Sequence, residues 1–243
     1  MKILAVDTAT KSCSVAIVSN NKLLAEETLV SNQTHSKHLM DMINKVIGLS
    51  GLTVSDLDGF AVTRGPGSFT GLRIGISSIK GLAAASGKPV VSVSSLEALA
   101  RQCCFSSYLI CPLIDAHRGE VYCSRYRFFR SGLEDGVLRR ETKEQVLPPD
   151  KAVADINEPC LLVGNGALIY KESIIEKLGA LAHFAPPGQN TIWASTVADL
   201  SMYRFERNDT DDISSLVPYY IRKSDAELSF VKKPILKFPK NNE

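Results

Sequence analysis

A strand that ends in aspartate and is followed by a second strand occurs twice in this chain, and that restart limits the folds open to it. Ile3-Leu4-Ala5-Val6-Asp7 is apolar up to its carboxylate, and Cys13-to-Ser19 follows after a short turn. Tyr108-to-Asp115 repeats the arrangement, with Glu120-to-Arg127 as its second strand. The two aspartates stand about one small α/β domain apart. Such a duplication predicts two similar lobes with a cleft between them. The expected division is an N-terminal lobe over residues 1–104, a smaller C-terminal lobe over 105–230, and a tail over 231–243.

The first lobe opens as a meander, Lys2–Asp7, Cys13–Ser19 and Lys22–Val30, with Asn20-Asn21 as a two-residue hairpin turn. Thr34 reads as the cap of a helix over about 35–49 whose core face carries Leu39, Ile43, Val46 and Ile47. A strand at 58–63, a helix at roughly 68–86, a short buried strand Lys88–Val93 and a helix from Ser95 toward Gln102 follow. In the second half, Leu161-Leu162-Val163-Gly164-Asn165-Gly166 reads as a strand running into a glycine turn. Helices are expected near 167–178 and, starting at Thr191, around 191–205. Residues 130–150, with Asp135-Gly136 and Pro148-Pro149, read as a connecting excursion, and Lys232-to-Glu243 as a frayed tail.

Between the 58–63 strand and its helix lies Arg64-Gly65-Pro66-Gly67-Ser68-Phe69-Thr70-Gly71-Leu72-Arg73. Two glycines around a proline permit a tight turn and a close backbone approach. Ser68 and Thr70 can cap the first helical turn, whose free N–H groups make a seat for an anion. Phosphate chemistry and a plain strand-turn-helix junction both fit this loop. It is not a P-loop, since no Gly-Lys-Ser/Thr follows. Asp7 and Asp115 likewise read either as strand-end turn formers or as holders of a metal-bound water. Asp7, Thr8, Thr10, Gly164, Asn165 and Gly166 are the candidate nucleotide contacts.

Bulk properties narrow the function classes. The chain has 243 residues, 44% hydrophobic and 22% charged, the make-up of an ordinary soluble globular protein. A net charge of +2 offers no basic surface for nucleic-acid binding by this chain alone. The apolar N-terminus is too short for a signal peptide, and nothing approaches a membrane span. Six cysteines show no Cys-x-x-Cys pair or metal spacing, so a reduced, cytoplasmic protein is expected. His35-x-x-His38 is the only close histidine pair, and no further ligand joins it, so both read as the start of a solvated or partner-facing helix.

The helix at 68–86 carries only Arg73 and Lys80 as charges after Phe69. Leu72, Ile76, Ile79 and Ala83 form one face. Gly71, Gly75, Ser78, Leu82 and Ala85 form a second stripe of mostly small residues, which let another helix come close. A helix apolar on two faces is either sandwiched inside its own domain or covered by a partner. On the preceding helix, Met40 and Met42 read as standing off the core stripe.

Two hairpins, each led by a strand ending in Asp, resemble the duplicated ribonuclease-H-like fold of actin, hexokinase and the Hsp70 ATPase: two α/β lobes with mixed sheets flanked by helices. Within that class the chain resembles the TsaB (YeaZ) family. The matching segments are Ile3-to-Thr10, His35-Ser36, Gly65-to-Gly75, Gly87-to-Val90, Ser94-to-Leu99, Asp115-to-Tyr122 and Gly164-to-Ala167, with Pro218-to-Arg222 like a family tail segment. The resemblance implies a part in making threonylcarbamoyladenosine next to the anticodon of tRNA. It implies a non-catalytic subunit that pairs with the catalytic TsaD, joined by the ATPase TsaE, with the activated adenylate supplied by TsaC-type enzymes. It implies tRNA contact only through the complex, a homodimer when TsaD is absent, no metal or cofactor of its own, and ATP or ADP as a candidate ligand of the complex. TsaD carries a metal-binding His-x-x-x-His where this chain has Ser95 and Leu99. The expected docking surface comprises His35, His38, Met40, Met42, Gly71, Gly75, Ser78, Leu82 and Ala85, where a charge at Gly75 or Ser78 should block pairing without unfolding the chain. The alternative is an ATP-dependent small-molecule kinase or ATPase of the same fold.

Overall fold

The computed structural model describes residues 1–31, 33–129 and 136–222. Its first sheet contains β1 (Lys2–Asp7), β2 (Ser12–Ser19), β3 (Lys22–Val30), β4 (Gly59–Gly65) and β5 (Val90–Ser94). The order is β3-β2-β1-β4-β5, with β1–β2 and β2–β3 antiparallel and β1–β4 and β4–β5 parallel. The meander turns at Asn20 and Asn21, both with positive φ, a conformation asparagine tolerates. Between strands run α1 (Leu39–Ser50) and α2 (Phe69–Ser86), and α3 (Ser95–Arg101) leaves β5 directly.

The second sheet repeats the first. Its members are β6 (Leu109–Asp115), β7 (Val121–Cys123), β10 (Gln145–Leu147), β11 (Cys160–Val163) and β12 (Ala182–Phe184). They run in the order β10-β7-β6-β11-β12 with the same pattern of directions. A ribbon of β8 (Tyr126–Phe129) and β9 (Val137–Arg140) joins β6 at Ile110. The helices of this half are α4 (Pro149–Ala152), α5 (Asn165–Ile169), α6 (Lys171–Leu178) and α7 (Ala194–Glu206).

Because side chains alternate along a strand, each sheet has two apolar faces and needs two covers. Leu4, Val6, Val15 and Ile17 pack outward under Leu39, Ile43 and Val46 of α1 and Ile76, Ile79 and Ala83 of α2. Leu109, Cys111 and Leu113 pack outward under Ala167 of α5 and Ile174 and Leu178 of α6. The inner faces meet in one core, where Ile3, Ala5, Val91, Ile110, Ile114 and Val163 close on Leu96 and Leu99 of α3 and Val197, Ala198 and Phe205 of α7. Helix α7, late in the chain, lies on the first sheet, while α3 lies against β6. Among the described residues no helix is long and apolar enough to cross a membrane.

Several expectations are corrected. The first helix begins at Leu39, preceded by a separate 3₁₀ turn His35–Lys37, and Thr34 makes no side-chain cap. Met42 faces inward at 4% exposure, completing the core stripe, while Met40 is 44% exposed. The second hairpin strand breaks at Ser124-Arg125 into β7 and β8. The 130–150 region is no mere excursion, since it supplies β9, β10 and the start of α4; Asp135 lies outside the described residues. The helix near 167–178 is two helices that change direction at Tyr170, and α7 starts at Ala194 rather than Thr191. The tail over 231–243 is also outside the described residues.

The chain then returns across both halves. Asp211 N donates to Val90 O on the β5 edge, and Lys80 Nζ donates to the Ser214 and Leu216 carbonyls. Tyr219 N donates to Arg64 O at 2.7 Å. Tyr220 stacks on Phe69 with centroids 4.7 Å apart and receives Arg73 Nε on its hydroxyl at 3.0 Å. Two residues on, Arg222 bonds Glu120 at 2.8 Å and the Ala116 carbonyl at 2.7 Å, in the second half.

The stripe on α2 divides in the structure. Gly71 and Gly75 are buried against the loop after β1, and a Cβ there would meet Thr8 O at 2.1 Å and Thr8 Oγ1 at 2.3 Å. The smallness of both residues serves the chain's own packing, so a charge at Gly75 would disturb the fold itself. Gly71→Ala should cost about 1–3 kcal/mol by overpacking against backbone, whereas Ser78→Ala should stay within about 0.5 kcal/mol. Urea unfolding of the two variants checks the contrast.

Candidate functional site

The carboxyl ends of β1 and β6 and the loops around them face a cleft of about 1040 Å³ between the two halves. One wall is the first hairpin turn, the 3₁₀ turn at His35 and the start of α2; the other is Asp115 to His117, Asn165, Leu168, Ile169 and Thr191. Tyr220 and Arg222 of the returning segment complete the rim. The lining is mixed, with exposed Leu168 and Ile169 beside threonine and asparagine.

The candidate nucleotide contacts do not all reach this cleft. Asp7 is fully buried. Its Oδ1 accepts from Thr63 Oγ1 at 2.7 Å and from Ala9 N at 3.1 Å, while Oδ2 is buried with no partner among the described residues. Thr8 is also buried, its hydroxyl donating to Gly71 O at 2.8 Å. Gly164 has φ +104° and lies so close to β6 that a Cβ would sit 2.4 Å from Leu113 O; Gly166 approaches the same carbonyl. Thr10 and Asn165 do line the cleft. Thr10 is tied to Ser12 at 2.8 Å, and Asn165 Oδ1 accepts from Asp115 N at 3.2 Å.

Asp115 is spent locally. It accepts from His117 N at 3.0 Å and Tyr170 OH at 3.1 Å, and His117 Nδ1 lies 3.1 Å from its other oxygen. His117 and Arg118 both hold positive φ, so the second turn is a tight left-handed one. At α2, Ser68 accepts from Gly71 N and its own N–H donates to Ala9 O at 2.7 Å, which uses part of the helix-start anion seat. Thr70 is exposed and does not cap. His35 and His38 diverge: one donates to Thr10 O at 2.8 Å, the other to Gln33 Oε1 at 2.9 Å. Among the described residues no three His, Cys, Asp or Glu side chains gather as a metal site.

Of the expected docking residues, Met40 and Ala85 are exposed and His35, His38, Ser78 and Leu82 half-buried. Met42, Gly71 and Gly75 are inside the chain. Sequence reading missed Asn190, buried, whose Oδ1 takes Gly164 N at 2.8 Å and whose amide donates to the Ala185 and Pro186 carbonyls. It also missed Tyr170; only its position after the glycine turn hinted at it.

Burial dominates Asp7 and lifts its pKa to about 7, against the lowering by Thr63 and the Ala9 and Thr8 amides. A carboxyl whose folded pKa lies above the unfolded value binds its proton more tightly when folded. Its stabilising contribution is therefore full at low pH and lost as pH rises through 7. The melting temperature of the wild type should fall relative to Asp7→Asn between about pH 5 and pH 8, by roughly 5 °C or more. Parallel curves for the two proteins would contradict this assignment.

Comparison with known proteins agrees with the geometry. Residues 22–230 match the family model described as "TsaD: tRNA N6-adenosine threonylcarbamoyltransferase". The chain is 31% identical to the tRNA threonylcarbamoyladenosine biosynthesis protein TsaB of Haemophilus influenzae, across 96% of this chain and 98% of that one. It is 29% identical to the TsaB of Bacillus subtilis, across 96% and 99%. The solved structure of YeaZ from Pseudomonas aeruginosa superposes with a TM-score of 0.77 at 28% identity, over 90% of this chain and 99% of that one. A duplicated 3-2-1-4-5 sheet, an interlobe cleft and these likenesses together establish that the chain belongs to the TsaB (YeaZ) family of tRNA threonylcarbamoyladenosine biosynthesis proteins, with the two-lobed ribonuclease-H-like fold.

Proposed function

We propose that this chain is a non-catalytic subunit that pairs with a TsaD-type protein and supports transfer of the threonylcarbamoyl group to the adenosine beside the tRNA anticodon. The observation that carries this reading is the state of α3. Ser95 and Leu99, at the positions matching the metal histidines of TsaD, are both buried in the core between the sheets. Neither residue type nor direction suits a metal open to substrate. The aspartate loops point the same way. A kinase of this fold needs a carboxylate free to meet a metal or water, and Asp7 is sealed while Asp115 is held by His117 and Tyr170.

Pairing through α1 and α2 follows from the surface that remains once the self-packed glycines are removed from the stripe. Ser78, Leu82 and Ala85 stand at helical spacing on an incompletely covered face of α2, and Met40 is open on α1. The same face would serve a homodimer when TsaD is absent. TsaE and tRNA join through the assembled complex in this reading, and ATP or ADP would use the interlobe cleft near Thr10 and Asn165.

Reconstitution of transfer with TsaD, TsaE and a TsaC-type enzyme tests the role. Transfer should require this chain, which alone should neither modify tRNA nor turn over ATP. Equal transfer without it would overturn the reading. For the surface, Ala85→Glu should weaken pairing with TsaD by at least tenfold, about 1.4 kcal/mol, with an unchanged melting temperature. Undiminished binding in a titration would move the interface elsewhere.

A further inference from the structure

Residue 222 stands on the lip of the interlobe cleft. Tyr220 and Arg222 both line it, and the bonds of Arg222 to Glu120 and to the Ala116 carbonyl fix the point from which residues 223–243 depart. Those residues lie outside the described ones. In the same cleft, the last turn of α5 presents Leu168 and Ile169, 47% and 57% exposed, and Val30 at the end of β3 is 65% exposed. The helix commits Gly166 and Ala167 to its contact with β6, which leaves the next two residues outward. Single apolar residues at a surface are ordinary, but adjacent ones in a concave wall mark a contact surface.

We propose that the chain covers this wall itself: the segment Leu228-Ser229-Phe230-Val231 docks in the cleft against Leu168 and Ile169. The sequence after Arg222 suits that occupant. Lys223-Ser224-Asp225-Ala226-Glu227 is a polar linker, and Leu228 opens the first apolar group beyond it. Six residues of extended chain reach about 20 Å, enough to turn back across a cleft of about 1040 Å³. In extended chain Leu228 and Phe230 fall on one side, so the pair can meet the pair on α5. Lys232, Lys233 and Pro234 then end the apolar group.

Tethering favours the chain's own segment over a second copy. A short linker that starts at the cleft holds the segment there at an effective concentration in the millimolar range. A second molecule matches that only when the protein itself is as concentrated.

The test uses the full chain with the photoreactive residue p-benzoylphenylalanine in place of Ile169. After irradiation of dilute protein, mass spectrometry should find cross-links to peptides containing residues 228–231. The same group in place of Leu49, 68% exposed on α1 and outside the cleft, should give none. Adding Phe230→Asp should lower the yield at position 169 about tenfold, as expected when one large apolar side chain loses its burial. In a mixture of light and isotope-labelled protein, each cross-linked pair should carry one label. Mixed labels would overturn the proposal and make a second copy the occupant. Cross-links confined to residues 1–222, or an equal yield with Phe230→Asp, would overturn it outright. If the position 169 variant does not fold, methyl NMR on the natural side chain decides. The Ile169 δ1-methyl resonance should move in Phe230→Asp while that of buried Ile3 stays in place, and an unmoved Ile169 would sink the idea. No nucleotide is added, so failure here leaves the nucleotide reading of the cleft standing.

Discussion

Everything in this molecule depends on the sharing of one apolar core by two sheets. Neither sheet is finished on its inner side. The first needs α7, which the chain makes only after completing the second sheet, and the second leans on α3, which grows from the first. Burial of inner-face residues such as Ile3, Val91, Ile110 and Ile114 is thus a joint property of the halves. The duplication in sequence does not yield two separable bodies, because each repeat lends the other a helix.

In the loops after β1 and β11, the groups that a phosphate could have met are occupied by the chain. Thr8 bonds α2, Gly164 and Gly166 press on Leu113, and Asn190 fills the remaining donor at Gly164. Glycine can be kept for a ligand or for a neighbouring backbone, and the backbone is the observed neighbour here. The cleft survives between them as a space rimmed by Thr10, Asn165, Tyr220 and Arg222.

Much of the fold was legible because apolar alternation and turn chemistry act locally. The Asn20-Asn21 hairpin, the glycine loop into α2, and the repeated strand ending in Asp all appear where the pattern places them. What was not legible depends on distant partners. Met42 reads as off the stripe until the width of the core face is known, which the sheet sets, not the helix. Gly71 and Gly75 read as a partner's groove because a stripe of small residues looks the same whether a foreign helix or Thr8 fills it. The polar run after residue 136 hid two strands, since β9 and β10 are only four and three residues long and take their pairing from neighbours.

The returning segment from Asp211 to Arg222 gives the cleft an unusual property. Tyr220 is anchored on one wall and Arg222 on the other, with a single residue between them. Two steps of extended chain span at most about 7 Å, so the walls at that rim are leashed. Any widening there must break the stacking on Phe69 or the ion pair with Glu120. The returning chain is therefore a strap that fixes how far apart the two walls of the cleft stand at this rim.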